Sequence, residues 1–265
     1  DFPRLAEPPI AEVVCGITFE RVPDLDPVSL GPYWHQRRSD YPRKELKHPI
    51  TIGPAGDKIE FKVGADLGPT RTWLISKDDI SIIQIQQDRF YLNWRARGGR
   101  YPHFNDTSAT DKGLSSLVRT EWEQFAAYCQ KDLGTPLKVN GIELAKIDLI
   151  SQGRHWSDAK DLGSLLPALR SALELAGGPA PHLNWRMTSK KPDGDLQIHI
   201  DTVFTVAEPQ VPVLKIETRR VLRKSPIEGA AIYEEFRNIN RELNQIFFSL
   251  VPNEELKRFS KGWKP

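Results

Sequence analysis

The chain has 265 residues, of which 39% are apolar and 27% are charged, a balance typical of an ordered globular protein. Its 37 Lys and Arg residues nearly cancel its 35 Asp and Glu residues, which excludes a global positive field of the kind that captures nucleic acid or anionic membranes. No apolar run approaches the length of a membrane span. Two cysteines without metal-ligand spacing, Cys15 and Cys129, indicate buried free thiols. We therefore expect a soluble cytoplasmic protein with no membrane contact and no cofactor.

The first half of the chain predicts a strand, a helix, several short strands and a second helix. Residues 12–20 alternate as in a half-buried strand. Asp26 and Pro27 predict the N-cap and first turn of a helix that ends before Pro42. Short neighbouring strands, which should pair antiparallel, are predicted at 58–64, 72–76, 80–86 and 89–95. An apolar stripe from Leu114 to Leu133, followed by Gly134, predicts a long helix with a left-handed cap.

The second half predicts the same order of elements. Residues 142–151 alternate as a strand, and Ser164 predicts the start of a helix that continues to Ala176. Strands are predicted at 182–189, 196–206 and 213–222. Residues 225–228, Ser-Pro-Ile-Glu, form a capping-box pattern before an apolar stripe that ends at Leu250.

These two sets of elements predict a pseudo-duplicated α+β protein. The halves would be residues 1–136 and 137–265, and each would pack its helices on one face of an antiparallel sheet. The predicted topology is similar to the repeat of TATA-binding-protein-like folds. That similarity is one of fold, and it assigns no function.

The hairpin at residues 83–95, IQIQQDRFYLNWR, supplies the first candidate binding surface. Phe90, Leu92 and Trp94 share one face of its second strand. The opposite face of the hairpin carries Gln84, Gln86, Arg89, Tyr91, Asn93 and Arg95. Because helices should cover the apolar face, we expect the polar face to point outward. It would then be either a solvated face with cross-strand pairs or a surface that recognises a polar ligand or another chain.

The second half supplies a similar polar face. Gln197, His199 and Asp201 alternate on one predicted strand, and Lys215, Glu217 and Arg219 alternate on the next. An enzyme that uses His199, Asp201 and Glu217 in acid–base chemistry is an alternative function. No nucleophile in a tight turn completes a triad, and a metal site would need a third ligand such as His155 or Glu143, for which the spacing gives no support.

Two further partners stay open at this point. Arg89, Arg95 and Arg219 together with Tyr91 could line a groove for single-stranded nucleic acid. The helix at 228–250 spaces its apolar residues close to a heptad, which suggests a homodimer as the alternative to packing on its own sheet.

Five blocks of the sequence stand out, namely PPIAEVVCGITFE (8–20), YWHQRRSDYP (33–42), TWLIS (72–76), IQIQQDRFYLNWR (83–95) and FSKGW (259–263). They resemble the signature blocks of a sporadically distributed bacterial family of uncharacterised proteins. The resemblance implies no catalytic residue or cofactor. A patchy distribution is typical of defence-associated genes, so the resemblance suggests an accessory or antitoxin-like component of a bacterial defence locus. The leading hypothesis is a non-enzymatic binding protein for a partner protein or a small polar ligand.

Overall fold

The computed structural model describes residues 2–50, 70–98, 101–105, 113–176, 182–206 and 209–261. The strands are β1 (Ile10–Phe19), β2 (Arg43–Lys47), β3 (Arg71–Ile75), β4 (Ser81–Gln86), β5 (Arg89–Arg95), β6 (Val139–Ser151), β7 (Asn184–Lys191), β8 (Gly194–Phe204) and β9 (Pro212–Arg223). The α-helices are α1 (Leu30–Arg37), α2 (Leu114–Lys131), α3 (Ala159–Leu165), α4 (Arg170–Ala176) and α5 (Ala230–Leu250). Two 3₁₀ segments cover Pro167–Leu169 and Asn253–Phe259.

The strands form a nine-stranded antiparallel sheet in the order β2-β3-β4-β5-β1-β6-β9-β8-β7. The predicted α+β class is therefore confirmed. In the first half of the chain the opening strand β1 lies next to the last strand β5, and β4, β3 and β2 follow outward. In the second half the opening strand β6 lies next to the last strand β9, and β8 and β7 follow outward.

Two compact units divide the chain, and their segments alternate along the sequence. Unit 1 comprises Asp1–Val13, Leu144–Leu222 and Glu235–Pro265, and unit 2 comprises Val14–Glu143 and Arg223–Glu234. The division into residues 1–136 and 137–265, which the order of elements predicts, stays a prediction.

Each unit has its own hydrophobic core under its helices. In unit 2, Phe90 stacks on Phe125 of α2 with ring centroids 5.2 Å apart, and Tyr33 of α1 meets the same ring edge-on at 5.6 Å. In unit 1, Ile150 and Leu214 of the sheet pack in one cluster with residues of α3, α4 and α5. The predicted apolar side of the hairpin is confirmed, because Phe90 and Leu92 are fully buried. Cys15 and Cys129 are buried and form no disulfide bond in the described structure, in line with the prediction.

Several predicted boundaries are wrong for local physical reasons. Helix α1 begins at Leu30, because the Asp26 carboxylate caps the preceding turn by accepting from the backbone N–H groups of Val28 and Ser29. The helix predicted from Ser164 is two helices, α3 and α4, separated at Leu166. Proline disfavours helical backbone angles for the residue before it. Leu166, which precedes Pro167, accordingly has φ −126° and ψ 74°, outside the helical region.

The remaining differences concern one helix start and one strand. Helix α5 begins at Ala230, after Gly229, which has a positive φ of 50°, so the helix starts later than the capping-box pattern predicts. Strand β2 was not predicted, and the strand predicted at 58–64 lies outside the described residues. None of the helices in the described ranges is both long enough and apolar enough to cross a bilayer.

Candidate functional site

The polar face of the β4–β5 hairpin is buried. Gln84, Gln86, Arg89 and Asn93 are each 6% exposed and Tyr91 is 2% exposed. The expectation that this face points outward is therefore wrong for these five side chains. Alternation along a strand correctly grouped them, but it carries no information about what covers a face.

Hydrogen bonds within unit 2 satisfy much of this buried face. The side-chain amide of Gln84 donates to Asn93 Oδ1 over 2.8 Å, and its Oε1 accepts from Arg71 Nη1 over 2.9 Å. Gln86 is held by a backbone group, since its Oε1 accepts from Ile50 N over 2.9 Å and its Nε2 donates to Ile50 O over 3.2 Å. A chain segment that follows β2 therefore lies against the polar side of this sheet.

Tyr91 and Arg95 also have defined partners in unit 2. The Tyr91 hydroxyl group donates to Glu143 Oε2 over 3.1 Å. Arg95 Nη2 donates to Oδ1 of Asp79 over 2.6 Å and to its backbone oxygen over 2.8 Å. Asp79 is a non-glycine residue with a positive φ of 63°, so Arg95 stabilises the strained turn between β3 and β4.

The polar face of β7, β8 and β9 in unit 1 differs from the first because most of it reaches solvent. Its register forms three cross-strand rows, which are Asn184–Asp201–Lys215, Arg186–His199–Glu217 and Thr188–Gln197–Arg219. Arg186 and Asn184 are exposed, and the other members of the first two rows are partly exposed. Arg219 is the most buried of the predicted residues here, with 9% exposure. The structure thus brings all five other predicted residues of this half onto one accessible surface.

Charges of both signs alternate on this surface. Lys215 Nζ lies 3.4 Å from Glu217 Oε2, and Asn184 Nδ2 lies 3.5 Å from Asp201 Oδ1. An apolar group lies beside these charges. Leu149 of β6 is 36% exposed. Leu149 must point to the polar side of the sheet, because its neighbour Ile150 belongs to the core under the helices.

His199 lies in the middle of this surface without an orienting partner. Its Nε2 atom is buried and has no hydrogen-bond partner among the described residues. Burial and the nearby positive charges of Arg186 and Lys215 lower the pKa of His199, which favours the neutral imidazole. The register brings Glu217 opposite His199, but no hydrogen bond joins His199 to Asp201 or Glu217 in the described part of the chain. The arrangement therefore lacks the oriented base of an acid–base site.

The residues considered as further metal ligands have structural partners. His155 Nδ1 accepts from the backbone N–H of Ser151 over 3.1 Å, and its ring packs on Phe259 at 5.5 Å. Glu143 accepts from Tyr91, as described above. Within the described ranges, no group of three or more His, Cys, Asp or Glu residues could hold a metal ion.

Some polar-face residues did not stand out in the sequence. Arg71 and Trp73 lie on the same side of the sheet as Gln84, because Trp73 pairs with Gln84 in the β3–β4 register. Asn184 and Arg186 share the face of His199 in the same way. The signal that could have found them is the alternation in RTWLIS and NWRMTS, extended from the neighbouring strands.

Comparison with known proteins adds no constraint. No family model, curated protein or solved structure matches this chain.

Proposed function

We propose that the protein is a non-enzymatic binding protein, and that the accessible polar face of β7, β8 and β9 recognises a partner protein. The observation that carries the proposal is the mixed composition of this open face. It combines Arg186 and Lys215 with Asp201 and Glu217, and the exposed side chain of Leu149 lies on the same side of the sheet. Protein interfaces combine apolar contacts with charges of both signs, and complementary charges select the partner.

The same composition argues against the two alternatives. A nucleic-acid site needs a continuous cationic surface, and here carboxylates alternate with the cations. An enzyme that used His199 would need a group to orient its ring, and neither Asp201 nor Glu217 bonds to it in the described structure.

The test begins with purification from the native host and identification of the partner by mass spectrometry. Calorimetry then compares the affinity of the wild type with that of a double variant, Arg186→Ala with Lys215→Ala. We expect the double variant to bind at least about tenfold more weakly, a loss of about 1.4 kcal/mol. A matched control, Arg237→Ala with Arg241→Ala, removes two exposed arginines from α5 of the same unit and should bind like the wild type. Equal affinities for all three proteins would contradict the proposal.

Two broader proposals accompany this one. The first is that the halves of the chain are an internal duplication with a topology similar to TATA-binding-protein-like folds. The shared order, in which the first strand of each half lies beside its last strand, supports it. The second is that the protein is an accessory or antitoxin-like component of a bacterial defence locus in the cytoplasm. Its support is the sequence resemblance alone.

A further inference from the structure

Three cations share one cross-strand row on the polar face of unit 2. Lys47 of β2 lies directly opposite Arg71 of β3, and Gln86 of β4 lies directly opposite Arg89 of β5. The pairing of Thr72 with Ile85 places Arg71 level with Gln86, so the row reads Lys47, Arg71, Gln86, Arg89. Like charges directly opposite one another destabilise a sheet. Lys47 is partly compensated, since its Nζ lies 2.6 Å from Glu45.

Arg89 forms the buried end of this row. Its Nε and Nη2 donate to the two carboxylate oxygens of Asp88 over 2.8 and 2.6 Å. Its Nη1 atom is buried and has no hydrogen-bond partner among the described residues, and the residue is only 6% exposed. A buried guanidinium N–H without an acceptor is costly, so it indicates a position where an acceptor belongs.

Arg71 is a second cation with unfilled donors. Its Nη1 donates to the neutral Gln84, and no described carboxylate forms an ion pair with it. Its Nε atom is buried without a partner in the described part of the chain, as is Nε1 of Trp73 on the same face, whose ring lies 5.3 Å from the Arg71 guanidinium carbon. Burial, together with the positive charge of Arg89, lowers the pKa of Arg71. Among the described residues, no carboxylate compensates the Arg71 charge.

Gln86, between the two arginines, does not fill these donors. Both of its amide atoms bond to the backbone of Ile50. The unpartnered side-chain atoms on this part of the face, Arg71 Nε, Trp73 Nε1 and Arg89 Nη1, are all donors. A ligand that completes them must supply several acceptor atoms and a negative charge. Carboxylate and phosphate groups do both, and guanidinium groups match their geometry.

We infer that unit 2 contains an anion-binding site on β3–β5, in which Arg71, Trp73 and Arg89 bind the phosphate or carboxylate group of a small molecule. Arg71 and Trp73 are half-buried and lie towards solvent, whereas Arg89 forms the floor. This site belongs to a different unit from the proposed protein-binding face. The two proposals therefore succeed or fail independently.

The test uses the purified full chain, and its readouts are calorimetric affinity and thermal unfolding. Inorganic phosphate and citrate are the two probes, and potassium chloride at equal ionic strength is the reference. We expect phosphate, citrate or both to raise the unfolding midpoint beyond the chloride reference. A response to phosphate alone identifies phosphorylated ligands, and a response to citrate alone identifies carboxylates.

Variants connect that response to the named residues. Arg71→Gln should weaken binding of the active probe at least tenfold, and Arg71→Lys, which keeps the charge but loses the fork of donors, should also weaken it. Arg21→Gln removes an exposed arginine of the same unit, whose side chain bonds only to Gln87 in the described structure, and it should bind like the wild type. Because Arg71 is half-buried, its variants test the site without removing the buried Arg89. The inference is overturned if neither probe exceeds the chloride reference, or if Arg71→Gln and Arg21→Gln respond alike.

Discussion

The Tyr91 ring packs directly over Gly16, and its hydroxyl group donates to Glu143 Oε2 over 3.1 Å. A Cβ atom at residue 16 would lie 2.7 Å from Cδ1 of Tyr91, closer than side-chain carbons approach one another. The absence of a side chain at Gly16 therefore makes room for the Tyr91–Glu143 hydrogen bond.

We predict that Gly16→Ala destabilises the protein by about 1–3 kcal/mol, the usual cost of overpacking. Urea unfolding followed by tryptophan fluorescence measures this difference. Tyr91→Ala should also destabilise the protein, but adding Gly16→Ala to it should cost much less than in the wild type, since the clash is gone. Additive effects in the double variant would show that the ring does not set the requirement for glycine.

The second prediction concerns the buried ion pair between α1 and α2. Arg37 Nη2 lies 2.7 Å from both carboxylate oxygens of Glu121, and the Tyr41 hydroxyl group donates to the same carboxylate over 3.0 Å. Glu121→Leu leaves the largely buried Arg37 charge with only the exposed carboxylate of Asp40, 3.7 Å away, and should cost about 3–5 kcal/mol.

A double-mutant cycle tests that interpretation. Replacing both partners, with Arg37→Met and Glu121→Leu, removes the stranded charge and should cost less than Glu121→Leu alone. Chemical denaturation of the four proteins gives the coupling energy. If the double variant is the least stable of the four, the cost arises from lost packing and not from the poorly compensated Arg37 charge.

The third prediction is a dependence of stability on pH. Burial, aided by the charge of Arg154, lowers the pKa of His155 to about 4 from its ordinary value of 6.5. Between these values the unfolded chain binds more protons at this residue than the folded protein, so the free energy of unfolding rises with pH. His155 makes its full contribution to the free energy of unfolding above pH 6.5. That contribution, up to about 3 kcal/mol, is lost as the pH falls towards 4.

Proton NMR of the imidazole resonances measures the pKa of His155. Urea unfolding between pH 4 and 7 measures how the free energy of unfolding depends on pH. His155→Gln should flatten the pH dependence, whereas His35→Gln, which changes an exposed histidine, should leave it unchanged. A His155 resonance that titrates near 6.5 would refute the prediction.

The fourth prediction concerns the start of α3. The Asp158 carboxylate accepts hydrogen bonds from the backbone N–H groups of Lys160 and Asp161, over 2.9 and 3.1 Å. Asp158→Ala should lower the free energy of unfolding by about 0.5–2 kcal/mol, because two helix N–H groups lose their acceptor. Asp158→Asn keeps an acceptor oxygen and should cost less. Equal losses for both variants in thermal unfolding would indicate that the cap is not the cause.

The sequence predicted correctly which residues share a face of each strand. It did not predict whether each polar face is buried or exposed. Period-two alternation correctly separated Phe90 and Leu92 from Arg89 and Tyr91. It could not show that the second group is also buried, because the contact between Gln86 and Ile50 joins residues far apart along the chain. The same alternation around His199 gives a largely accessible face. The same sequence pattern therefore occurs on a buried face in one unit and on an accessible face in the other.

Other differences arise from local signals that are weak or that compete. Strand β2, RKELK, has no apolar alternation, and four of its five residues are exposed, so only its pairing with β3 defines it. The break between α3 and α4 was readable, since proline disfavours a helical residue before it. The apolar spacing of Leu165, Leu166 and Leu169 outweighed that signal and suggested one continuous helix.

Because the segments of the two units alternate along the sequence, some contacts within unit 1 can form only late in synthesis. The backbone oxygen of Pro9 accepts from the N–H of Leu149, so an early residue of unit 1 depends on one that is synthesised much later. At ribosomal rates of roughly 5–20 residues per second, Pro9 leaves the ribosome about 7–28 s before its partner. During that interval β1 can pair only with β5, its other neighbour in the sheet, and the edge that joins β6 stays exposed to chaperones or to other unpaired strands.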